Sequence, residues 1–197
     1  MSSVFFEPVA AWHDTDAFRS GATFLDWYLH NQALQHERAE LARTFVLVAE
    51  ENAGKEDCPV EGYITLEAGT MPTAFLELTE ADRNLLPFLP VAGTDDRHPG
   101  MHPLSQLPVV YLSFLARHAR NRGAGYGDIL LVEALRRTEL AAAHVGIVGL
   151  FLVATTEGEP LYARYGFHAF GDYDRKLFLS LRAIRQTLAL LDDPPTG

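Results

Sequence analysis

Apolar and polar positions follow two different spacings along the chain, and the changes of spacing predict its elements. Apolar side chains recur at helical intervals from about residue 22 to 41, which predicts an amphipathic helix. Near-continuous apolar runs at 109–117 and 147–154 predict two buried strands. Between them, apolar positions at helical spacing predict a helix from about Ile129 to Ala143. A strand, a helix and a strand in this order form a βαβ-like unit.

Shorter elements surround this unit. Strands are predicted at 4–10, 44–50, 61–69 and 176–181, and helices at 78–86, 158–167 and 182–191. Residues 87–108 contain five prolines and predict a loop or flap inserted between ordered elements. The expected fold class is therefore mixed α+β, with residues 1–197 forming one domain.

The composition favours one cytoplasmic domain. A chain of 197 residues that is 48% hydrophobic can bury a full core without metals or disulfides. Cys58 is its one cysteine, which excludes a disulfide framework and a cysteine-based zinc site and is compatible with a reducing compartment. The sequence shows no signal-peptide pattern and no run of 18 apolar residues, so neither export nor membrane insertion is predicted.

Charge is distributed unevenly between the two halves of the chain. The net charge of −10 arises in the first hundred residues, which carry 6 basic and 17 acidic groups, whereas residues 101–197 carry 10 and 9. This distribution excludes a generally basic nucleic-acid-binding surface but leaves room for an arginine-lined site in the second half. Fourteen of the 16 basic residues are arginines, which suit bidentate phosphate contacts.

A glycine-rich loop, RNRGAGYGDILL at 120–131, lies between the first strand and the helix of the βαβ-like unit. Glycine turns that open a helix present unpaired N–H groups at the positive end of the helix dipole, which favours phosphate, although such turns also occur for steric reasons. The loop lacks the lysine of a P-loop. It also lacks a dinucleotide fingerprint, because Asp128 replaces the third glycine and no ribose-binding acid follows the next strand.

The pattern that fits is Arg/Gln-x-x-Gly-x-Gly/Ala at a helix start. Both Arg120 and Arg122 can begin it, and the Leu-Leu pair at 130–131 favours the register that begins at Arg122. One strand further on, LYARYGF at 161–167 matches an L-Y-x-x-x-G-F segment. In these two motifs the chain resembles the GNAT superfamily of N-acetyltransferases. The resemblance implies a mostly antiparallel twisted sheet of about six or seven strands, splayed between the fourth and fifth and flanked by helices.

The resemblance also implies a binding site for acetyl-CoA, in which loop N–H groups grip the pyrophosphate and main-chain groups of the preceding strand pair with the pantetheine arm. The coenzyme-binding residues expected on this basis are Leu115, Ala116, Arg117, Arg122, Gly123, Ala124, Gly125, Tyr126, Gly127 and Asp128. A backbone N–H of that strand can polarise the thioester carbonyl. No metal is expected: His98 and His102 share an i,i+4 spacing, but the proline after each opposes a helix.

Tyr162 occupies the position from which the family's tyrosine serves as general acid. A phenol with a pKa of about 10 can donate a proton to a departing thiolate. The alternative is an aromatic side chain that packs beside Tyr165 and Phe167. Glu67, on the predicted strand 61–69, is a weaker catalytic candidate, as a base or as an anchor for a cationic substrate. A solvent-facing glutamate on an alternating strand explains it more simply.

The resemblance extends to a subgroup, the GNAT toxins of bacterial toxin–antitoxin pairs. The matching segments are 18–35, 43–48, 62–69, 108–110 and 176–181. The toxins resembled acetylate the amino group of aminoacyl-tRNA and are held inactive by a small DNA-binding antitoxin, for which a ribbon-helix-helix protein is the expected type. Related toxins usually carry arginine where this chain has Phe114 and valine where it has Arg117, which leaves any side-chain role at position 114 open.

Three functions stay open from the sequence. Acetylation of aminoacyl-tRNA agrees with the resemblance, whereas acetylation of a small cationic amine or a peptide amine suits the acidic first half, Glu67, Phe114 and the 87–108 insertion. The third possible function is a coenzyme-binding or partner-binding module without turnover. The presence of Tyr162, the expected general acid, argues against it. Apolar residues near the end of the chain suit a homodimer interface and a monomer core equally. These residues are Leu177, Leu179, Ile184, Leu188 and Leu191.

Overall fold

The computed structural model describes residues 3–72, 106–169 and 175–193, and these residues form nine strands and five α-helices. The strands are β1 (Val4–Pro8), β2 (His13–Asp14), β3 (Arg43–Ala49), β4 (Cys58–Pro59), β5 (Gly62–Pro72), β6 (Gln106–Arg117), β7 (Gly149–Val153), β8 (His168–Ala169) and β9 (Lys176–Ser180). The helices are α1 (Thr23–Tyr28), α2 (Leu34–Arg38), α3 (Tyr126–Ala142), α4 (Glu159–Arg164) and α5 (Leu181–Asp192). A π-helical turn, Leu29–Ala33, joins α1 to α2.

The main sheet contains seven strands in the order β1-β3-β5-β6-β7-β9-β8, and β2 and β4 form a separate parallel pair. Neighbouring strands of the main sheet are antiparallel except β6 and β7. The chain passes between those two strands through α3, which is the βαβ-like unit predicted from the sequence. The mixed α+β, mostly antiparallel sheet with flanking helices is therefore confirmed.

Core residues lie on both faces of this sheet. On one face α3 contributes Leu130, Leu131 and Leu135 and α5 contributes Ile184 and Leu188, all buried in one cluster with β5, β6, β7 and β9. Each such side chain stabilises the fold by roughly 1.5–3 kcal/mol. On the other face, α1 and the π-helical turn pack in a second cluster with β3 and β5. The helical spacing of apolar residues thus marks the helix faces that contact the sheet.

The sheet opens between its fourth and fifth strands, β6 and β7. The two strands pair only from Val110 to Leu112 of β6, and β6 continues to Arg117 with no β7 residue opposite it. A register shift in the β5–β6 ladder leaves Ser113 without a counterpart, so a β-bulge lies at the start of the opening. The position of the splay agrees with the expectation from the GNAT resemblance.

The strand β6 begins earlier than predicted. It starts at Gln106, so the last three residues of the proline-rich segment 87–108 are strand rather than loop. Pro108 is tolerated there because a proline lacks only the N–H donor, and its carbonyl accepts a hydrogen bond from Val148 N over 2.9 Å.

Other predictions fall outside the described residues. They are the helix at 78–86, the remainder of the insertion at about 87–108, and His98 with His102. A single domain spanning 1–197 with this insertion accordingly stays a prediction. Within the described ranges, no helix combines the length and apolar character that crossing a membrane requires.

Four of the five apolar residues considered for a dimer interface are in the monomer core. Leu177, Leu179, Ile184 and Leu188 are buried in the same cluster as α3, and Leu191 alone of the five is exposed. The closing strand and helix therefore complete the core. Ser180 caps the start of α5, because its hydroxyl accepts a hydrogen bond from Ala183 N over 3.2 Å.

Candidate active site

The glycine-rich loop leads from β6 into α3 through two residues with a left-handed backbone. Gly123 has a φ of 78° and Gly125 a φ of 79°, a region that other L-residues adopt only with strain. Gly125 immediately precedes α3. A Cβ atom built on either glycine would meet no atom within 4 Å, so open space lies beside the loop.

The backbone N–H groups of this segment divide into two sets. Ala124 N donates to the carbonyl of Asn121 over 3.2 Å, and Asp128 N donates to the carbonyl of Gly125 over 3.1 Å. The N–H groups that donate to no group within the described residues are those of Gly123, Gly125, Tyr126 and Gly127. Four N–H donors at the positive end of α3 are thus available to an anion. Ala124 and Asp128 were also predicted to contact the coenzyme, but their backbone N–H groups already donate hydrogen bonds within the loop.

The two arginines that can begin the motif have different surroundings. Arg120 donates two hydrogen bonds to the Glu61 carboxylate, Nη2 to Oε1 over 2.6 Å and Nε to Oε2 over 3.2 Å. Arg122 pairs with Glu157, and these two side chains are 72% and 76% exposed. An exposed pair contributes little stability, so Arg122 can exchange Glu157 for a phosphate at small cost. Of the two arginines, Arg122 is therefore the one that is more readily available to a ligand, and the register that begins at Arg122 stays a prediction.

The Glu61 carboxylate holds the Arg120 side chain by two hydrogen bonds. Burial alone would raise the pKa of the Glu61 carboxyl, but hydrogen bonds from Arg120 and Asn121, together with the charge of Arg120, outweigh burial and the pKa lies below its usual value. The side-chain amide of Asn121 donates to Glu61 Oε2 over 2.7 Å. Glu61 therefore fixes the residues just before the glycine loop.

The last residues of β6 present a free backbone edge to the opening. Leu115, Ala116 and Arg117 pair with β5 on one side, and no β7 residue pairs with them on the other. Main-chain groups on such an edge can bind an extended ligand as a further strand would. All three residues predicted to hold the pantetheine arm are therefore on the unpaired part of β6.

Tyr162 lies on α4, near the loop. This short helix has Pro160 in its first turn and ends before Gly166, whose φ of 81° is the left-handed conformation that glycine often adopts after a helix. Tyr162 is 8% exposed and its ring packs edge-on against Phe167. Burial raises the pKa of Tyr162 to about 12. Its hydroxyl has no hydrogen-bond partner within the described residues.

Contacts between α4 and α3 bring Tyr162 and the loop together. A Cβ atom on Gly127 would lie 3.5 Å from Cδ2 of Leu161, the residue before Tyr162. The side chain of Asp128, in the first turn of α3, is bound by Arg164 of α4 and by Tyr165, which follows it. Tyr162 also shares a buried cluster with Leu112, the residue where β6 and β7 part. The structure therefore places Tyr162, the loop and the free edge of β6 around one opening.

Glu67 lies on the other face of the sheet, opposite Tyr111 in the β5–β6 ladder. Burial, and then the charge of Glu67, raise the pKa of Tyr111. The pKa of Tyr28 is raised mainly by burial, with a smaller contribution from Glu67, against hydrogen bonds from Thr44 and Thr65 that lower it. The carboxylate is partly exposed, so it can meet a cationic group from solvent.

An aromatic surface around Phe114 was not predicted from the sequence. The ring of Phe114 lies 3.9 Å from that of Tyr28 and 5.8 Å from that of Phe24, measured between centroids. Phe24 stacks with Trp27, and these side chains are 63% and 48% exposed. The sequence signal was present as three aromatic residues at i, i+3 and i+4 of one helix. Phe114 thus contributes an aromatic contact, at the position whose side-chain role the sequence left open.

Three side chains with metal-binding atoms meet near the start of the chain. Glu7, His13 and Cys58 place one such atom each within 4.8 Å of one another. However, Nε2 of His13 lies only 2.6 Å from Oε1 of Glu7, shorter than the roughly 3.3 Å that separates two ligands of a tetrahedral zinc ion. Nδ1 of His13 accepts a hydrogen bond from Ala10 N over 2.9 Å. The spacing is that of a hydrogen-bonded pair, which joins β1 to the β2–β4 pair.

Comparison with known proteins finds similar sequences and folds. No protein-family model matches the chain. A probable toxin TacT from Sinorhizobium fredii (strain NBRC 101917 / NGR234) is 26% identical over 184 residues, which cover 89% of this chain and 90% of that protein.

Solved structures of KacT and AtaT have the same fold. A tyrosine-to-phenylalanine mutant of KacT superposes with a TM-score of 0.75 at 22% identity, over 93% of this chain and 98% of that one. AtaT, solved with acetyl-methionyl-tRNA, gives a TM-score of 0.76 at 23% identity, over 94% and 99% of the two chains. In sequence this chain is similar to a probable toxin TacT, and its fold is like that of the solved KacT and AtaT structures.

Proposed function

We propose that this chain is an acetyl-CoA-dependent N-acetyltransferase that acetylates the amino group of aminoacyl-tRNA. The observation that carries the proposal is the opening between β6 and β7, which is bordered by four free N–H groups, an unpaired strand edge and the buried Tyr162. The similar proteins support it: AtaT was solved with acetyl-methionyl-tRNA, and AtaTR with AcCoA.

The residues around the opening fit acetyl-CoA. The N–H groups of Gly123, Gly125, Tyr126 and Gly127 would bind the pyrophosphate at the positive end of α3. Arg122 would add a charge-assisted contact once it leaves Glu157. The main chain of Leu115, Ala116 and Arg117 would pair with the pantetheine arm. In this arrangement Ala124 and Asp128 shape the loop.

Acetyl transfer forms a bond between the amine nitrogen and the acetyl carbon and breaks the bond from that carbon to sulfur. The nitrogen loses a proton and the sulfur gains one. Tyr162, with a pKa raised to about 12, is protonated at every physiological pH and is always a donor. Complete transfer to a thiolate with a conjugate-acid pKa of about 8.5 would be unfavourable by about 5 kcal/mol. Tyr162 therefore hydrogen-bonds the sulfur as its bond breaks, and the proton lost by the amine balances the reaction.

The acceptor amine reacts in its neutral form. An α-amino group has a pKa of about 8, so a useful fraction is neutral at physiological pH and solvent can take its proton. Glu67 would hold the ammonium form near the sheet before it loses the proton. Phe24 and Trp27, exposed beside Phe114, offer flat apolar contacts to the rest of the acceptor.

Radiolabelled acetyl-CoA tests the proposal directly. We expect label to enter the aminoacyl group of charged tRNA and to be absent when the tRNA is first deacylated. Tyr162→Phe should abolish most of this transfer while acetyl-CoA still binds. Binding of acetyl-CoA without transfer to any amine would instead identify a non-catalytic coenzyme-binding module.

A small cationic amine is the second candidate acceptor, and Glu67 is the observation that favours it. The two acceptors differ in their response to salt. An enzyme that binds the tRNA backbone should lose affinity steeply as salt rises, because counterion release drives that binding, whereas a small-amine enzyme should respond weakly. Comparing KM for charged tRNA and for polyamines between 50 and 200 mM salt, about the range over which phosphate contacts are lost, separates them.

An antitoxin partner belongs to the same proposal. AtaT was solved bound to the C-terminus of the antitoxin AtaR, and KacTA was solved with DNA. We expect expression of this chain alone in the bacterial cytoplasm to arrest growth, and co-expression with a small DNA-binding protein encoded beside it to restore growth. If expression of the active enzyme leaves growth unchanged, the toxin assignment fails while the acetyltransferase assignment stands.

A further inference from the structure

Ser113 is the residue at which the sheet opens. It is the inserted residue of the bulge in the β5–β6 ladder, which pairs Leu66 with Leu112 and Thr65 with Phe114 and leaves Ser113 unpaired. It is also the first residue of β6 beyond the β6–β7 ladder, which ends at Leu112. Bulges of this kind redirect a side chain and recur next to active sites.

The hydroxyl of Ser113 is buried and has no partner. Its Oγ atom has no hydrogen bond within the part of the chain that the structure describes. A buried hydroxyl without a partner destabilises a fold, and such groups are rare enough in native structures to require an explanation. Strain and unsatisfied polar groups are retained where function uses them.

The position of Ser113 along β6 corresponds to the thioester end of the coenzyme. From Arg117, next to the loop, back to Ser113 the strand covers four residues, or about 13 Å at the usual rise of a strand. A pantetheine arm, which contains two amide units, has a comparable extended length. Leu112, the residue before Ser113, and Tyr162 both belong to the buried cluster that α3 forms with the sheet.

We propose that the Ser113 hydroxyl, which is covered in the free protein, donates a hydrogen bond to the carbonyl oxygen of the acetyl thioester once the coenzyme has entered between β6 and β7. This inference rests on the proposed acetyltransferase function. The carbonyl oxygen gains negative charge when the amine nitrogen attacks the acetyl carbon, and a fixed donor stabilises that charge. The hydroxyl keeps its proton throughout, while the carbon–sulfur bond breaks and the proton that the amine loses reaches the sulfur through solvent. Ser113 would supplement the backbone N–H groups of β6.

Ser113→Ala tests the inference by two measurements: the affinity for acetyl-CoA should fall, and the thermal unfolding temperature should rise. Calorimetric titration should show acetyl-CoA binding weakened about fivefold, the value of one hydrogen bond, and binding of CoA without the acetyl group unchanged. The thermal unfolding temperature of the free protein should rise by about 2 °C, because an unsatisfied buried hydroxyl is removed. Ser113→Cys, which keeps the volume with a weaker donor, should give an intermediate affinity.

Ser180→Ala is the matched control, since Ser180 is a strand-terminal serine whose hydroxyl already has a partner, Ala183 N. It should lower the unfolding temperature by about 2–4 °C and leave both affinities unchanged. Equal loss of acetyl-CoA and CoA binding in Ser113→Ala, or no loss of either, would overturn the inference. If the unaltered protein binds acetyl-CoA and Ser113→Ala behaves as expected, but charged tRNA is not acetylated, the acceptor assignment fails and the inference stands.

Discussion

The hydroxyl of Tyr165 donates a hydrogen bond to Oδ1 of Asp128 over 3.1 Å. Arg164 contacts both oxygens of the same carboxylate, over 2.9 and 3.2 Å. Asp128 lies in the first turn of α3, which presents the free N–H groups, and Tyr165 lies one turn after Tyr162. One carboxylate therefore joins the proposed coenzyme loop to the segment that carries Tyr162, the proposed hydrogen-bond donor to the sulfur.

Tyr165→Phe removes this contact and little else. We expect kcat to fall about fivefold, because one hydrogen bond that positions Tyr162 is lost, with KM for acetyl-CoA nearly unchanged. Steady-state kinetics with charged tRNA measures both. The matched control is Arg136→Ala, which breaks an exposed ion pair to Asp192 away from the glycine loop and should leave kcat unchanged. A rise in KM without a fall in kcat would contradict a role in positioning Tyr162.

The sequence predicted the elements around the site because their signals are local. The glycines at 123 and 125 are needed for a left-handed backbone, and the apolar positions of α3 repeat at helical spacing. Three short strands, β2, β4 and β8, were missed, since two-residue strands carry no measurable alternation.

The remaining features of the site depend on residues far apart in sequence. The different surroundings of Arg120 and Arg122 arise from Glu61, which is 59 residues from Arg120. The bulge at Ser113 arises from the register of β6 against β5, and neither strand shows it alone. The binding of Asp128 by Arg164 and Tyr165 spans 36 and 37 residues. Tertiary pairing of this kind cannot be read from local spacing.

Gly125→Ala and Gly127→Ala test two different effects on acetyl-CoA binding. The first introduces backbone strain in the loop, and the second adds a contact between α3 and α4. At Gly125 the φ of 79° makes alanine unfavourable by about 1–2 kcal/mol, and we expect a more than tenfold loss of acetyl-CoA affinity as the loop shifts. At Gly127 the new Cβ would make an ordinary 3.5 Å contact with Leu161, and alanine favours a helix over glycine by about 1 kcal/mol. Gly127→Ala should bind acetyl-CoA within about twofold, as one such contact changes little.

Both variants are measured by calorimetric titration and thermal unfolding. The Arg/Gln-x-x-Gly-x-Gly/Ala pattern admits alanine at the position of Gly127 in the register that begins at Arg122. Equal losses of affinity in the two variants would argue against that register.

Arg122→Ala and Arg120→Ala should affect different properties. Arg122 is an exposed cation beside the loop, so its loss should weaken acetyl-CoA binding about three- to tenfold, reduce the salt dependence of that binding, and leave stability unchanged. Arg120 binds Glu61, so its loss should lower the free energy of unfolding by about 1 kcal/mol and leave affinity nearly unchanged. If Arg120→Ala instead weakened acetyl-CoA binding and Arg122→Ala did not, the register that begins at Arg120 would be favoured.

Glu61→Gln should make the stability of the protein less dependent on pH in the acid range. Because the folded-state pKa of Glu61 lies below its unfolded value, its contribution is present above the unfolded pKa and is lost as pH falls through the folded pKa. At pH 7 we expect Glu61→Gln to unfold about 1 kcal/mol more easily, a small value because Arg120 is half exposed. Denaturant titrations at pH 7 and in the acid range compare the two proteins, and their difference should disappear at low pH.

Tyr162→Phe should lower kcat about 100-fold or more at every accessible pH, because the donor to sulfur is removed. In the unaltered enzyme kcat/KM should rise with pH as the acceptor amine becomes neutral, around pH 8. Burial raises the pKa of Tyr162 to about 12, and the protonated form is the active one, so activity should decline only as pH rises through that value. Initial rates at saturating acetyl-CoA from about pH 6 to 10, a range that contains the pKa of the amine and ends below that of Tyr162, give the profile. A descending limb near pH 9 that disappears in Tyr162→Phe would show that Tyr162 ionises far more easily than its buried position predicts.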